Sequence, residues 1–115
     1  MHVAMSIMIL ADVDAVYRAA SRVEEWATKC FDDDGPSVTV MRGHAVGRVF
    51  RVRPRCQFRC IPLDITIVQQ CDPTRREIHH RHVFGITKGM TSVWRVQREN
   101  DAVRLSIECT LTFAH

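Results

Sequence analysis

Hydrophobic and polar residues alternate along most of this chain, and this alternation predicts a protein built mainly from β-strands. A period of two places every second side chain on the same face of a strand. The clearest alternating apolar positions are Val103, Leu105, Ile107, Cys109, Leu111 and Phe113. The same pattern predicts earlier strands over residues 3–9, 38–41, 46–53, 63–70, 78–82 and 90–96. A turn at Arg42-Gly43-His44 is predicted between the second and third of these strands.

One segment departs from the strand period and follows helical spacing. Its apolar residues are Val13, Val16, Tyr17, Ala20 and Val23. This spacing predicts a helix of about three turns, with Asp12 as the N-cap. The order is therefore strand, helix, then about six strands with short connections, which favour antiparallel neighbours. The predicted class is α+β: a curved antiparallel sheet of about six to seven strands with an N-terminal helix.

A glycine turn between two predicted strands provides the strongest candidate for a functional feature. Gly85 and Gly89 separate one strand that carries His82 from another that carries Trp94. We expect this hairpin to lie over a hydrophobic cavity.

Length and composition narrow the functional classes. The chain has 115 residues, 46% hydrophobic, 25% charged and a net charge of +3, which predicts one domain over residues 1–115 without wholesale disorder. It has no apolar run of the roughly 18 residues that cross a bilayer, so we expect no stable membrane insertion. The first ten residues lack the basic start of a signal peptide, and five cysteines without a CxxC pair favour reduced thiols. We expect a cytoplasmic protein.

Five arginines lie close together: Arg48, Arg51, Arg53, Arg55 and Arg59. A basic sheet face that binds phosphates is one interpretation. Only Phe50 and Phe58 lie among them for base stacking, so we favour an outer face with ion pairs and no nucleic-acid partner. At most one or two of these arginines are expected to point inward, and Arg53 is our candidate.

Several polar and aromatic residues are candidates for a binding site. His80 and His82 share one face of a predicted strand. His82 has two interpretations: an acid/base group, or a histidine hydrogen-bonded to the backbone of the Gly85–Gly89 turn. His80 is a second candidate for the acid/base role, with the same alternative. Two histidines without a third ligand do not predict a metal site. Gln69 ends an apolar face, where a polar group needs a partner or a ligand. Trp26 and Trp94 either wall a cavity or anchor the core.

Three motifs together resemble one family. They are Val23-Glu24-Glu25-Trp26, the stretch from Pro62 through Gln69 to Asp72-Pro73, and the His82–Trp94 hairpin. The order of elements is similar to the helix-grip fold of the START-like (SRPBCC) superfamily, and most similar to its polyketide cyclase/dehydrase-type members.

The resemblance implies a cavity that binds a hydrophobic or aromatic small molecule. It further implies cyclisation or dehydration of a polyketide without a cofactor, with His82 as the acid/base residue and Arg53 steadying an oxygen. Trp26, Gln69, His80 and Trp94 would contact the ligand. The alternatives on the same scaffold are a non-catalytic lipid or quinone carrier, and an interaction module completed by another chain.

Members of this superfamily usually continue past the last strand into a long helix that lies in the grip of the sheet. The present sequence ends at His115, so we expect that helix to be absent, either because this is a truncated form or because a partner chain covers the open face. A sheet left uncovered would expose more apolar area than monomers tolerate. We therefore expect a homodimer.

Overall fold

The computed structural model describes residues 1–25, 37–44, 47–53 and 64–111. These ranges form one helix, seven strands and a short helical stretch at residues 23–25. The bounds are β1 His2–Ile9, α1 Val13–Ser21, β2 Ser37–His44, β3 Gly47–Arg53, β4 Ile65–Asp72, β5 Glu77–Phe84, β6 Thr91–Glu99 and β7 Ala102–Thr110.

The seven strands form one curved antiparallel sheet in the order β1-β7-β6-β5-β4-β3-β2. Strands β2 to β7 follow one another as hairpin neighbours, as the short predicted connections require. The first strand pairs with the last, from His2 opposite Thr110 to Ile9 opposite Val103. The predicted α+β class and the strand count are confirmed.

Helix α1 begins where the sequence predicts. The Asp12 side chain accepts a hydrogen bond from the Ala15 backbone N–H at 3.1 Å, which satisfies one of the free donors of the first turn. The helix packs its apolar stripe, including Val13 and Val16, against β6 and β7, where Val96, Val103 and Leu105 are buried. This contact fixes the helix over one half of the sheet.

Alternation gives the sheet an inner, largely apolar face and an outer face with ion pairs. The inner face includes Phe50 and Ile78, both completely buried. On the outer face, Arg95 bonds to Glu77 at 3.1 Å and to Glu108 at 3.2 Å. Among the described residues no helix has the length and apolar character needed to span a bilayer.

The predicted hairpin joins β5 to β6. Its turn is closed by backbone hydrogen bonds from His82 N to Met90 O at 2.9 Å and from Gly89 N to His82 O at 3.0 Å. Gly85 has φ +102°, and a Cβ there would lie 2.3 Å from the Asp64 carbonyl oxygen. Only glycine fits this position without strain.

One predicted turn is wrong. The residues Arg42 to His44, expected to form a turn, belong to β2, which continues through a bulge between Val40 and Arg42. Gly43 allows this path because its φ is +99°. Bulges of this kind bend a strand without ending it.

Candidate functional site

Two hollows lie on the inner face of the sheet. A groove of about 520 Å³ runs between α1 and the strands β1, β6 and β7, and a smaller pocket of about 180 Å³ lies on β3 to β7. The groove is lined by Ile9, Ala11, Ala15, Val16, Ala19, Ala20, Trp94, Leu105 and Ile107. The pocket is lined by Val23, Phe50, Ile67, His80, His82, Met90, Ser92, Trp94, Ile107 and Cys109.

The two hollows meet at Trp94 and Ile107, which line both. The groove is apolar because α1 presents alanines to it, and small side chains leave space between the helix and the sheet. The pocket differs because His80, His82 and Ser92 project into it beside its apolar residues. The inner face therefore offers an apolar channel with a polar end.

His80 is buried at that end and has three neighbouring side chains around its ring. Its Nε2 lies 2.7 Å from Gln69 Oε1, its Nδ1 lies 3.4 Å from Ser92 Oγ, and its ring meets the Trp94 ring edge-on at 5.8 Å. Burial lowers the pKa of His80 to about 4, with the neighbouring His82 and His79 adding to the shift. His80 is neutral at pH 7.

Gln69 stands behind His80 and lines neither hollow. It is almost completely buried, and its amide nitrogen donates to the Ser21 carbonyl at the end of α1, at 2.9 Å. The prediction that this amide needs a partner is met twice, by His80 and by Ser21. Gln69 therefore orients His80 by a hydrogen bond but does not itself line the pocket.

Arg48 joins the same network from β3. It forms two hydrogen bonds to the Glu24 carboxylate, at 2.8 and 3.0 Å, and donates to the Ser21 carbonyl at 2.7 Å. Its guanidinium also lies 4.7 Å from the centre of the Phe50 ring, a cation–π distance. Burial alone would raise the pKa of the Glu24 carboxyl, but the hydrogen bonds from Arg48 bring that pKa below its usual value.

His82 is half-buried at the rim of the pocket. Its Nδ1 lies 2.6 Å from Thr87 Oγ1, so the glycine turn orients the ring through a side chain of the turn. Burial lowers the pKa of His82, which makes it neutral at pH 7. Its ring makes no second hydrogen bond to the part of the chain that the structure describes.

The structure brings together some of the predicted site residues. His80, His82 and Trp94 line one pocket, and Gln69 adjoins it. Arg53 does not point inward, because it lies on the outer face of β3 and pairs with Asp64 at 3.2 Å with 58% of its side chain exposed. Trp26 falls outside the described residues.

Arg48 is the arginine that sequence reasoning missed. Strand alternation places it on the same face as Phe50 and Val52, whereas Arg51 and Arg53 lie on the other face and share Asp64. The signal in the sequence was that Arg48 occupies an even position, like Phe50 and Val52, whereas Arg51 and Arg53 occupy odd positions. Val49 gives the opposite face an apolar residue as well, so parity alone did not decide which face is inner.

A second buried polar contact lies under α1, away from the pocket. The Tyr17 hydroxyl makes no hydrogen bond of ordinary geometry within the described residues, although it lies near the Cys71 thiol. Burial and the neighbouring Cys71 raise the pKa of Tyr17 to about 12, and burial also raises the pKa of the Cys71 thiol. Both groups are protonated at pH 7. Within the described ranges no three metal-ligating side chains come together.

Neither a protein-family model nor a curated protein sequence matches this sequence. Solved structures do share its fold. The Zhui aromatase/cyclase from Streptomyces sp. R1128 is 19% identical, with a TM-score of 0.73 over 100% of this chain and 70% of that protein. TTHA0849 from Thermus thermophilus is 17% identical, with a TM-score of 0.77 over 98% of this chain and 76% of that protein.

Ara h 8.0201 is 9% identical, with a TM-score of 0.77 over 100% of this chain and 78% of that protein. These similarities confirm the helix-grip fold that the resemblance implied. At such low identity they establish the fold alone.

Proposed function

We propose that this protein binds an elongated hydrophobic or aromatic small molecule along the inner face of its sheet. The observation that carries the proposal is the junction at Trp94, where an apolar groove continues into a pocket with a polar end. The groove of about 520 Å³ lies within the roughly 300–1,000 Å³ typical of ligand sites. A flat ligand would stack on Trp94 while its apolar body displaces water from the groove.

Filling the groove tests this proposal. Ala19 faces the groove from α1, whereas Arg18, its neighbour, does not line it. Ala19→Phe should weaken the binding of 2-naphthol, measured by calorimetry, roughly 5- to 100-fold because the added ring competes for the same space. Arg18→Phe is the matched control and should leave the affinity unchanged. Equal affinities in both variants would place the ligand elsewhere.

On this site we also propose the cyclisation or dehydration of a polyketide, with His82 as the acid/base residue. Its neutral imidazole, oriented by Thr87, is suited to accept a proton from an enolisable carbon. The carbanion then forms a bond to a folded-back carbonyl carbon, and the imidazolium returns its proton to the resulting alkoxide. Most of the acceleration would come from holding the chain folded.

His82→Ala tests the acid/base role. It should lower turnover of a model poly-β-ketone about 10²- to 10⁴-fold while 2-naphthol still binds. His79→Ala is the control, because His79 lies on the outer face and contacts Glu77 at 3.2 Å. Full turnover in His82→Ala would remove His82 from the reaction. Binding of a quinone or fatty acid without any turnover in the parent protein would favour a carrier.

We further propose that two copies of the chain associate through β1. This strand is an edge of the sheet and carries no Asp, Glu, Lys or Arg, and its inner-face residues Met5 and Ile7 are 58% and 56% exposed. The other edge, β2, is protected by its bulge. Burial of the exposed row of β1 would remove an apolar surface that monomers rarely retain.

Sedimentation velocity tests the association. The parent protein should sediment as a dimer, and Met5→Lys should sediment as a monomer because the new charge lies in the buried contact. Ala4→Lys places the same charge on the opposite face of β1 and should remain a dimer. A monomeric parent protein would contradict the proposal.

A further inference from the structure

The orientation of the Gln69 amide is determined by its two partners. The Ser21 carbonyl can only accept a hydrogen bond, so the Gln69 atom 2.9 Å from it must be the amide nitrogen. The amide oxygen therefore faces His80 Nε2 at 2.7 Å. An amide oxygen can only accept a hydrogen bond. The contact of Gln69 with the end of α1 therefore determines which Gln69 atom faces His80.

His80 consequently holds its proton on Nε2. A neutral imidazole carries one proton, so Nδ1 is left with a free lone pair. Nδ1 faces Ser92 Oγ at 3.4 Å, longer than an ordinary hydrogen bond. The serine hydroxyl is a weak partner that a better donor can displace, and both residues line the pocket.

The basic side chains near this end of the pocket are bonded to other residues. Arg48 is bound by Glu24 and by the Ser21 carbonyl, and His79 lies on the outer face beside Glu77. His82 is half-buried and neutral at pH 7. Within the described residues, the pocket therefore offers hydrogen-bond acceptors and neutral rings but no cation among its lining side chains.

We infer that Gln69 holds His80 as a neutral acceptor, so that the pocket takes a ligand bearing a neutral hydroxyl, a phenol, enol or alcohol, and rejects a carboxylate. The inference rests on the proposed function, because it assigns a ligand class to the same cavity. His80 is the residue that contacts the ligand hydroxyl, and Gln69 is a positioning residue that acts through it.

Three probes with one apolar body test the ligand class at pH 7. They are 2-naphthol, naphthalene and 2-naphthoate, of which only the last is ionised at that pH. Calorimetry should give 2-naphthol about fivefold tighter binding than naphthalene, the gain from one neutral hydrogen bond. 2-Naphthoate should bind at least about 100-fold more weakly than 2-naphthol, because its buried charge would find no partner.

Nuclear magnetic resonance tests the tautomer directly. A two-bond ¹H–¹⁵N spectrum should show His80 protonated at Nε2 and bare at Nδ1, and the Nδ1 signal should shift when 2-naphthol binds. A His80 protonated at Nδ1 in the free protein would overturn the inference without any binding measurement.

Gln69→Glu should reverse the preference. A carboxylate beside Nε2 favours the imidazolium form of His80, which then offers an Nδ1–H donor to an anion. The Ser21 carbonyl keeps its hydrogen bond from Arg48, at 2.7 Å, so the fold should survive. 2-Naphthoate should gain affinity at least about tenfold in this variant, as expected for a charge-assisted hydrogen bond. Gln70→Glu is the control, because Gln70 is exposed on the opposite face of β4.

The outcomes separate the inference from the function it rests on. If none of the three probes binds, both the proposed function and the inference fail. If either 2-naphthoate or naphthalene binds as tightly as 2-naphthol, the cavity binds hydrophobic molecules but the assignment of His80 as a hydrogen-bond acceptor is wrong. If Gln69→Glu unfolds, the tautomer and the three-probe comparison in the parent protein still decide the question.

Discussion

Arg48→Met should destabilise this protein far more than the same change at Arg51. Arg48 pairs with Glu24 at 2.8 Å, and the two side chains are only 15% and 27% exposed. Methionine keeps the aliphatic bulk beside Phe50 but removes the guanidinium. The substitution leaves the Glu24 carboxylate half-buried without this ion pair, and the Ser21 carbonyl loses one of two donors.

The burial of the Arg48–Glu24 pair determines how much stability Arg48→Met should lose. Breaking a fully buried ion pair costs about 3–5 kcal/mol, whereas exposed pairs contribute about 0–1 kcal/mol. The Arg48 pair lies between these limits, so we expect a loss of about 2–3 kcal/mol in the free energy of unfolding. For a domain of this size that corresponds to a fall in Tm of roughly 8–15 °C.

Arg51→Met provides the matched control on the same strand. Arg51 pairs with Asp64 at 2.5 Å, but 43% of its side chain is exposed and Arg53 also binds Asp64. We expect a loss below about 1 kcal/mol. Urea unfolding followed by tryptophan fluorescence measures both variants. Equal losses in the two variants would refute the idea that Arg48 joins β3 to the end of α1.

The pH dependence isolates the ion pair from other effects of Arg48→Met. The pKa of Glu24 is lowered in the folded protein, so the pair contributes fully above the unfolded-state pKa of roughly 4.3. That contribution is lost as the pH falls through the lower folded-state pKa. The difference in stability between the parent protein and Arg48→Met should therefore shrink on acidification from pH 7. A difference that stays constant would assign the loss to packing.

Two further substitutions, each with a matched control, test the fold around the site. Gly85→Ala should lower the free energy of unfolding by about 1–3 kcal/mol through backbone strain alone. The loss should be larger still because the new Cβ would lie 2.3 Å from the Asp64 carbonyl oxygen. Gly47→Ala, where a Cβ meets nothing within 4 Å, should change stability by less than about 0.5 kcal/mol. Ile78→Ala should cost about 2–5 kcal/mol because the side chain is completely buried. Ile86→Ala, at a position 78% exposed, should be nearly neutral. Thermal unfolding measures all four, and a Gly85→Ala or Ile78→Ala as stable as its control would contradict the packing described above.

Local features of the sequence determined most of the fold. The alternation of β7, the helical spacing of α1 and the N-cap at Asp12 depend on residues a few positions apart. Such short-range patterns reflect backbone geometry directly, and the structure retains them. The His82–Trp94 hairpin was predictable for the same reason, because its glycines specify the turn.

The candidate site was only partly predictable from the same patterns. Alternation put His80 and His82 on one face, and the polar position of Gln69 indicated that it needed a partner. The identity of that partner, the Ser21 carbonyl, lies 48 residues away along the chain. No local pattern encodes a contact of that range, because it depends on where α1 ends over the folded sheet.

The choice between Arg48 and Arg53 shows what the tertiary structure alone decided. Val49 and Phe50 give β3 an apolar residue on each face, so its sequence is compatible with either face being inner. Pairing with β4, where Phe50 lies opposite Ile67, fixed the choice. That register places Arg48 beside Glu24 and Arg53 beside Asp64 on the outer face. A shift of one residue would move every side chain of the strand to the other face.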